Sequence, residues 1–352
     1  MRAAVYHGPK DIRIQEVDDP RIEEPTDVIV ETITASMCGS DLYLYQGEVE
    51  EMVAPGRTTL GHEICARVVE VGPQVSRFKV GDRVTFPYSV SCGKCVACEQ
   101  GQTAHCETSG KAIYGFGVAF GDLGGSQAEM VRVPLADGHL VHVPDSISDE
   151  AAIFLSCNLP AAVIAVDAAD VRAGDTVALI GCGPTGLLAQ RLLNHSPAAR
   201  VLAIDPVEYR RQAAAELGAT PLDNDENTVE AVMDATGGRG VDTVVEFVGR
   251  GPALSLAAAI TRPGGIISGG GVYLEQDHPT SLFDLFFKNL QLRLNGFANA
   301  AMGLPRARQA IEGGLLDPTE VISHRVSLDE FPDAARAFSE RTPGTHKLLI
   351  TP

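Results

Sequence analysis

Four cysteines fall within fifteen residues, as Cys92-Gly93-Lys94-Cys95-Val96-Ala97-Cys98 followed by Cys106, and they constrain the fold more than any other stretch. Thiolates on two-residue spacers can point at one centre, and a fourth from a longer loop closes the tetrahedron that zinc accepts. Iron–sulfur clusters use other spacings. A disulfide framework belongs to short secreted chains, whereas this chain has 352 residues and 8 cysteines, half of them in this run. A four-thiolate site is coordinatively full, so it staples a loop and leaves the chemistry to other residues.

At 352 residues the chain is too long for one ordinary core, and two domains are expected. The first half reads as short strands at Ala3–His7, Ile12–Val17, Val28–Thr34, Ile64–Val71 and Arg83–Phe86, with Gly72-Pro73 and Gly81-Asp82 as breakers. From about Gly174 the rhythm changes. Thr176–Ile180 is a buried-type strand, a glycine turn follows, and Leu187–Asn194 has helical periodicity before the strand Val201–Ile204. The pattern repeats through Glu208–Leu217, Asp242–Val248, Pro252–Ile260 and Gly265–Ser268, which specifies parallel βαβ units. The tail holds helices at Arg306–Gly313 and Asp329–Ser339 and a strand at Lys347–Ile350. The expected fold class is α/β: a β-rich domain, residues 1–153 and 295–352, interrupted by a doubly wound domain, residues 154–294.

The turn after the first βαβ strand is Gly181-Cys182-Gly183-Pro184-Thr185-Gly186. It follows a strand, opens a helix and precedes a second strand ending at Asp205, the context that a dinucleotide fingerprint requires. Gly181 makes the tight turn, Gly183 admits a pyrophosphate to the backbone, and Gly186 lets helix and strand pack closely, with phosphate charge received at the helix N-terminus. A carboxylate at Asp205 accepts from both adenosine ribose hydroxyls and repels a 2′-phosphate, which favours NAD over NADP. Arg210 has three readings: a neutraliser of that phosphate, a flank for the adenine, or a solvated helix residue.

The formal charge of −18 repels phosphate backbones and excludes nucleic acid as a partner. No run approaches the roughly 20 apolar residues of a membrane span, and the N-terminal residues lack a signal-peptide apolar core, so a cytoplasmic location is expected.

Cys38-Gly39-Ser40-Asp41, Gly61-His62-Glu63, Gly81-Asp82-Arg83-Val84, the four-cysteine run, Cys157 and the nucleotide turn stand in an order that resembles the zinc-dependent medium-chain alcohol dehydrogenases over essentially the whole chain. The resemblance implies a GroES-like catalytic domain, an inserted Rossmann domain and a cleft between them holding a second, catalytic zinc. On it, Cys38, His62 and Cys157 are the protein ligands, and a fourth position stays open for water or alcohol. Two thiolates and an imidazole leave the ion a Lewis acid that lowers the pKa of a bound hydroxyl, and an alkoxide gives up hydride more readily than an alcohol. Ser40 matches the hydroxyl that takes the substrate proton, and Asp41 orients His62. Glu63 is either an exchangeable ligand or an ordinary hydrogen-bonded carboxylate.

Two departures stand out. Leu42-Tyr43-Leu44-Tyr45 replaces a stretch where many members carry a relay histidine, so proton release runs through Ser40, cofactor ribose and water, with Tyr43 either assisting or walling the pocket. Ala161-Ala162 replaces a Thr-Gly pair beside the nicotinamide. Tyr43, Tyr88, Leu159 and the glycine-rich stretch Tyr114–Phe120 are candidate pocket walls, suited to apolar, cyclic or arylalkyl alcohols. The expected activity is reversible NAD-dependent oxidation of an alcohol to an aldehyde or ketone. A polyol or amino-alcohol dehydrogenase and a zinc-stabilised nucleotide-binding scaffold are the alternatives. Cys65 and Cys182 read as packing residues, and His105, His139 and His142 as surface histidines. The family forms homodimers and homotetramers.

Overall fold

A strand covered on both faces is buried along its whole length, as Thr176–Ile180 and Val241–Glu246 are at every position. In the computed structural model, which describes residues 1–275 and 279–352, they are the central pair of a six-stranded parallel sheet. Its spatial order is Thr220–Leu222, Arg200–Ile204, Thr176–Ile180, Val241–Glu246, Thr261–Gly269, Gln291–Leu294. Chain order reverses between the central pair, which creates the switch point where a crevice opens at the carboxyl ends of the strands. The helix Pro184–Asn194 starts there with proline in its first turn, where a missing N–H costs nothing. These elements lie in one compact unit, Ala161–Ala298.

The other unit comprises Met1–Pro160 and Asn299–Pro352. Its main sheet runs His324–Ser327, Leu348–Thr351, Val28–Ser36, Ile64–Val71, Arg83–Thr85, Val141–His142, with Met130–Val133 also paired to Val28–Ser36. Val28, Val30, Ile64, Ala66, Val68, Val84 and Phe86 pack into one core from alternate strand positions. The late strand Leu348–Thr351 lies antiparallel to Val28–Ser36, with Leu349 opposite Ser36 and Ile350 opposite Ala35. This register carries Lys347 to the end of the strand that leads into Met37 and Cys38.

Several elements differ from the sequence reading. The helix expected at Arg306–Gly313 spans Ala300–Glu312 and contains Pro305, a residue that disfavours a helix interior. Asn158–Ala168 is a helix without a polar face, so it carries no period to read. The helix Thr228–Ala235 and the short strands Thr220–Leu222 and Gln291–Leu294 were not anticipated either. His139 is not a surface residue: it is 3% exposed, and its Nε2 lies 2.9 Å from the Tyr114 hydroxyl. Among the described residues no single helix is long and apolar enough to cross a membrane.

Candidate active site

Three chain segments deliver the first cluster. Cys38 follows the strand Val28–Ser36, and its backbone N–H donates to Asp41 Oδ2 at 2.8 Å, which fixes the turn into the helix Asp41–Tyr45. His62 and Glu63 lie between Gly61 and the strand Ile64–Val71. Gly61 has φ +96°, and a Cβ there would sit 2.9 Å from the Gln127 backbone nitrogen, so only glycine lets the chain turn here. Cys157 follows Ser156, whose Oγ accepts from the Ile64 N–H at 3.1 Å and meets Thr85 Oγ1 at 3.0 Å. One donor atom each from Cys38, His62, Glu63 and Cys157 lies within 4.8 Å of the others, and the two sulfurs are 4.0 Å apart.

Burial makes every charge here dependent on its neighbours. Asp41, His62 and Glu63 are each 1% exposed. His62 Nδ1 is 3.1 Å from Asp41 Oδ1, in ion-pair contact off the hydrogen-bonding axis, which leaves Nε2 as the ring's ligand atom. Glu63 Oε2 accepts from Ser36 Oγ and Lys347 Nζ, while its buried Oε1 has no hydrogen-bond partner. Burial lifts the Glu63 carboxyl to about 6 against the pull of Lys347. The Cys157 contact, with His62 and Lys347 behind it, holds the Cys38 thiol well below its ordinary value, and the Cys38 contact plus burial drives Cys157 well above. The two sulfurs therefore share one negative charge among the protein groups alone, and a divalent ion would displace the second proton. Two sulfurs, one imidazole and an unpartnered carboxylate oxygen suit zinc.

The second cluster is the cysteine lobe. Cys95 occupies the N-cap position of the short helix Val96–Glu99, which carries Cys98. The donor atoms of Cys92, Cys95, Cys98 and Cys106 lie within 4.8 Å of one another, and no disulfide joins them. Cys106 Sγ accepts from the Cys92 N–H at 3.3 Å, and Cys92 Sγ accepts from the Lys94 N–H at 3.5 Å and Thr108 Oγ1 at 3.2 Å. Such donors suit thiolates. Four sulfurs and no other ligand atom leave nowhere for a substrate to bind.

The nucleotide turn lies in the other unit. Gly181 has φ +92°, and a Cβ on Gly186 would fall 2.0 Å from the Gly181 carbonyl oxygen, so both positions demand glycine. A Cβ on Gly183 would meet nothing nearer than Arg210 Nη1 at 4.0 Å, so the backbone there is open to a ligand. Gly183 is the N-cap of Pro184–Asn194 and supplies no side-chain acceptor, so no capping side chain stands between the positive end of the helix and an anion. Asp205 is 3% exposed and accepts from the Cys182 and Val207 N–H groups at 2.9 and 2.8 Å. Arg210 Nη1 stands 4.0 Å from Asp205 Oδ2, and the side chain is 16% exposed, so the solvated reading of Arg210 is wrong. Cys182 and Cys65 are fully buried, with thiols pushed up by burial to about 12, which makes both inert packing residues.

Of the remaining expected residues, Ser40 is half-buried at the start of Asp41–Tyr45 and makes no capping bond. Tyr43 is buried on that helix, and Leu159 is fully buried in Asn158–Ala168. Tyr88 sets its ring 6.1 Å from the His62 ring, edge-on. The sequence reading assigned no role to Ser36, Asn158 or Lys347, and it named Phe116 only within a longer stretch. Phe116 lies 5.5 Å from the His62 ring and is the one large side chain between Gly115 and Gly117, a flanking pattern that could have singled it out.

Residues 24–145 match the family model described as alcohol dehydrogenase GroES-like domain, and residues 184–311 match the one described as zinc-binding dehydrogenase. A Mycobacterium tuberculosis protein named "Probable zinc-binding alcohol dehydrogenase" is 37% identical, over 94% of this chain and 83% of its own length. The scyllo-inosose 3-dehydrogenase of Thermotoga maritima is 32% identical, over 95% of this chain and 88% of its own. Among solved structures, the alcohol dehydrogenase of Thermus sp. ATN1 superposes with a TM-score of 0.91 at 36% identity, covering 100% of this chain and 99% of that one.

Proposed function

Since this chain belongs to the zinc-dependent medium-chain dehydrogenases, we propose that it moves hydride reversibly between an alcohol and NAD, giving an aldehyde or ketone. The observation that carries this reading is the convergence of Cys38, His62, Glu63 and Cys157 in a buried cluster separate from the full set of four cysteines. In this reading the catalytic domain, expected from the sequence at 1–153 and 295–352, is the unit Met1–Pro160 with Asn299–Pro352, which takes in Cys157, and the nucleotide domain, expected at 154–294, is Ala161–Ala298. Bound by Cys38, His62 and Cys157, zinc would supply the Lewis acidity that polarises a carbonyl and acidifies a hydroxyl. A second zinc on Cys92, Cys95, Cys98 and Cys106 would hold the lobe together.

The chain's own groups do the rest. Asp41 holds the His62 ring in one orientation, and Ser40 takes the substrate proton. Tyr88 and Phe116 flank His62 with aromatic surface, which favours apolar or arylalkyl alcohols over polyhydroxylated ones. Gly181, Gly183 and Gly186 admit the pyrophosphate at the start of Pro184–Asn194. Asp205, backed by two N–H groups, presents a carboxylate to the ribose diol and selects NAD over NADP, while Arg210 flanks the adenine. Two such chains would pair through the apolar surface around the edge strand Gln291–Leu294.

Zinc per chain, measured with dinucleotide reduction on a panel of simple, aromatic and polyhydroxy alcohols, tests the reading. Two zincs of unequal lability, with turnover that ends when the labile one is removed and fails in Cys157→Ala, are expected. Fastest turnover on polyols would move the assignment toward sugar-alcohol substrates, in line with the Thermotoga relative. One zinc and no turnover would leave a zinc-stapled nucleotide-binding scaffold.

A further inference from the structure

A buried ammonium is tolerated only where fixed acceptors replace its water. Lys347 is 1% exposed, and its Nζ donates to Glu63 Oε2, to Asn158 Oδ1 at 2.8 Å and to the Met37 carbonyl at 3.1 Å. Both anchors are tied to the expected ligands. Met37 precedes Cys38, while Asn158 follows Cys157 and donates from Nδ2 to Cys38 Sγ at 3.6 Å. The register of Leu348–Thr351 on Val28–Ser36 sets the height of the lysine in the sheet, so its position does not depend on a flexible side chain finding its partner.

Glu63 is held by one oxygen only. Oε2 is occupied by Lys347 and Ser36, and Oε1 is buried, unpartnered and carried by a residue grouped with the two sulfurs and the imidazole. The carboxylate therefore has two possible cations, the lysine and a metal among Cys38, His62 and Cys157. Those three ligands already balance a divalent ion, and adding Glu63 would make the centre anionic and close its open position. Without the lysine, the ion would be the nearest countercharge left to a buried carboxylate.

We propose that Lys347, anchored by Asn158 and Met37, is a positioning residue that competes with the metal for Glu63 and so keeps the fourth coordination position open. The inference rests on the zinc reading of the first cluster.

The test follows capture of the labile zinc by a colorimetric chelator in the two-zinc protein, in Lys347→Met and in Lys347→Met/Glu63→Gln. Lys347→Met slows zinc loss about tenfold, because Glu63 joins the ion, and kcat falls with it. The double variant returns to the wild-type rate of zinc loss. Cobalt substituted at the labile site gains the absorption of a more crowded coordination sphere in Lys347→Met alone. A lysine that merely packed would give the opposite sign, faster loss. Faster or unchanged loss in Lys347→Met, or slowing that survives in the double variant, overturns the proposal. If Lys347→Met does not fold, Asn158→Leu leaves the ammonium in place with one anchor fewer. It slows zinc loss by a smaller factor, and an unchanged or faster rate overturns the proposal equally. A wild-type protein that takes up zinc only in the cysteine lobe would instead defeat the metal reading itself, before any variant is made.

Discussion

A histidine buried without a countercharge makes folding sensitive to protons. His139 packs against Tyr114, and burial lowers its pKa from 6.5 to about 4. Folding thus favours the neutral ring. Its contribution is complete above the unfolded pKa, where both states are neutral, and is lost as pH falls from 6.5 toward 4 and the unfolded chain takes the proton first. By pH 5 the loss is about 2 kcal/mol. Urea unfolding midpoints at pH 7.5 and 5 should therefore fall more in wild type than in His139→Gln, and equal falls would show the histidine to be irrelevant. The sequence hid this residue because Gly138-His139 resembles a polar loop, while its burial depends on Tyr114, which is distant in the chain. Lys347 was hidden more deeply, since the carboxylate that explains it lies 284 positions away. Cys38, His62 and Cys157 became legible through their order along the chain, because no one of them stands out by its local surroundings.

Elements show where glycine is obligatory. The loop that carries Phe116 to His62 is pinned at both ends: a Cβ on Gly115 would fall 2.5 Å from the Gly61 carbonyl oxygen, and one on Gly117 would fall 2.3 Å from that of Met52. Both obstacles are backbone, which cannot swing aside. Gly115→Ala should cost about 3 kcal/mol of stability and move Phe116 off the His62 ring. Its signature is a lower melting temperature together with a raised KM for arylalkyl alcohols, and an unchanged KM would separate Phe116 from substrate selection. The βαβ strands were readable because double-sided burial writes continuous apolar runs, and the glycine turn because its spacing is fixed by contact. Asn158–Ala168 was not, since apolar residues on every side erase the helical period.

At the scale of the whole molecule the exposed apolar surface is concentrated. Leu282, Phe283, Phe286 and Phe287, on or beside the short helix Leu282–Phe287, are 80, 64, 74 and 65% exposed, and Leu294 on the edge strand is 57% exposed. Soluble monomers rarely leave such a patch open. Sedimentation should find a homo-oligomer that Phe283→Glu/Phe286→Glu converts to smaller species, and a wild-type monomer would remove this surface from consideration. Another property of the whole chain lies in the pairing of Leu349 with Ser36, which sets Lys347 against Met37 across 310 positions. A ribosome makes Cys38, His62 and Cys157 first, then all of Ala161–Ala298, and only afterwards the strand that completes their sheet. The contiguous unit can therefore finish folding while the discontinuous one still waits with the Ala35–Ser36 end of a strand uncovered. Metal binding by Cys38, His62 and Cys157 would then be a late step in the life of each molecule, offered to a chain already folded over most of its length rather than to one still emerging.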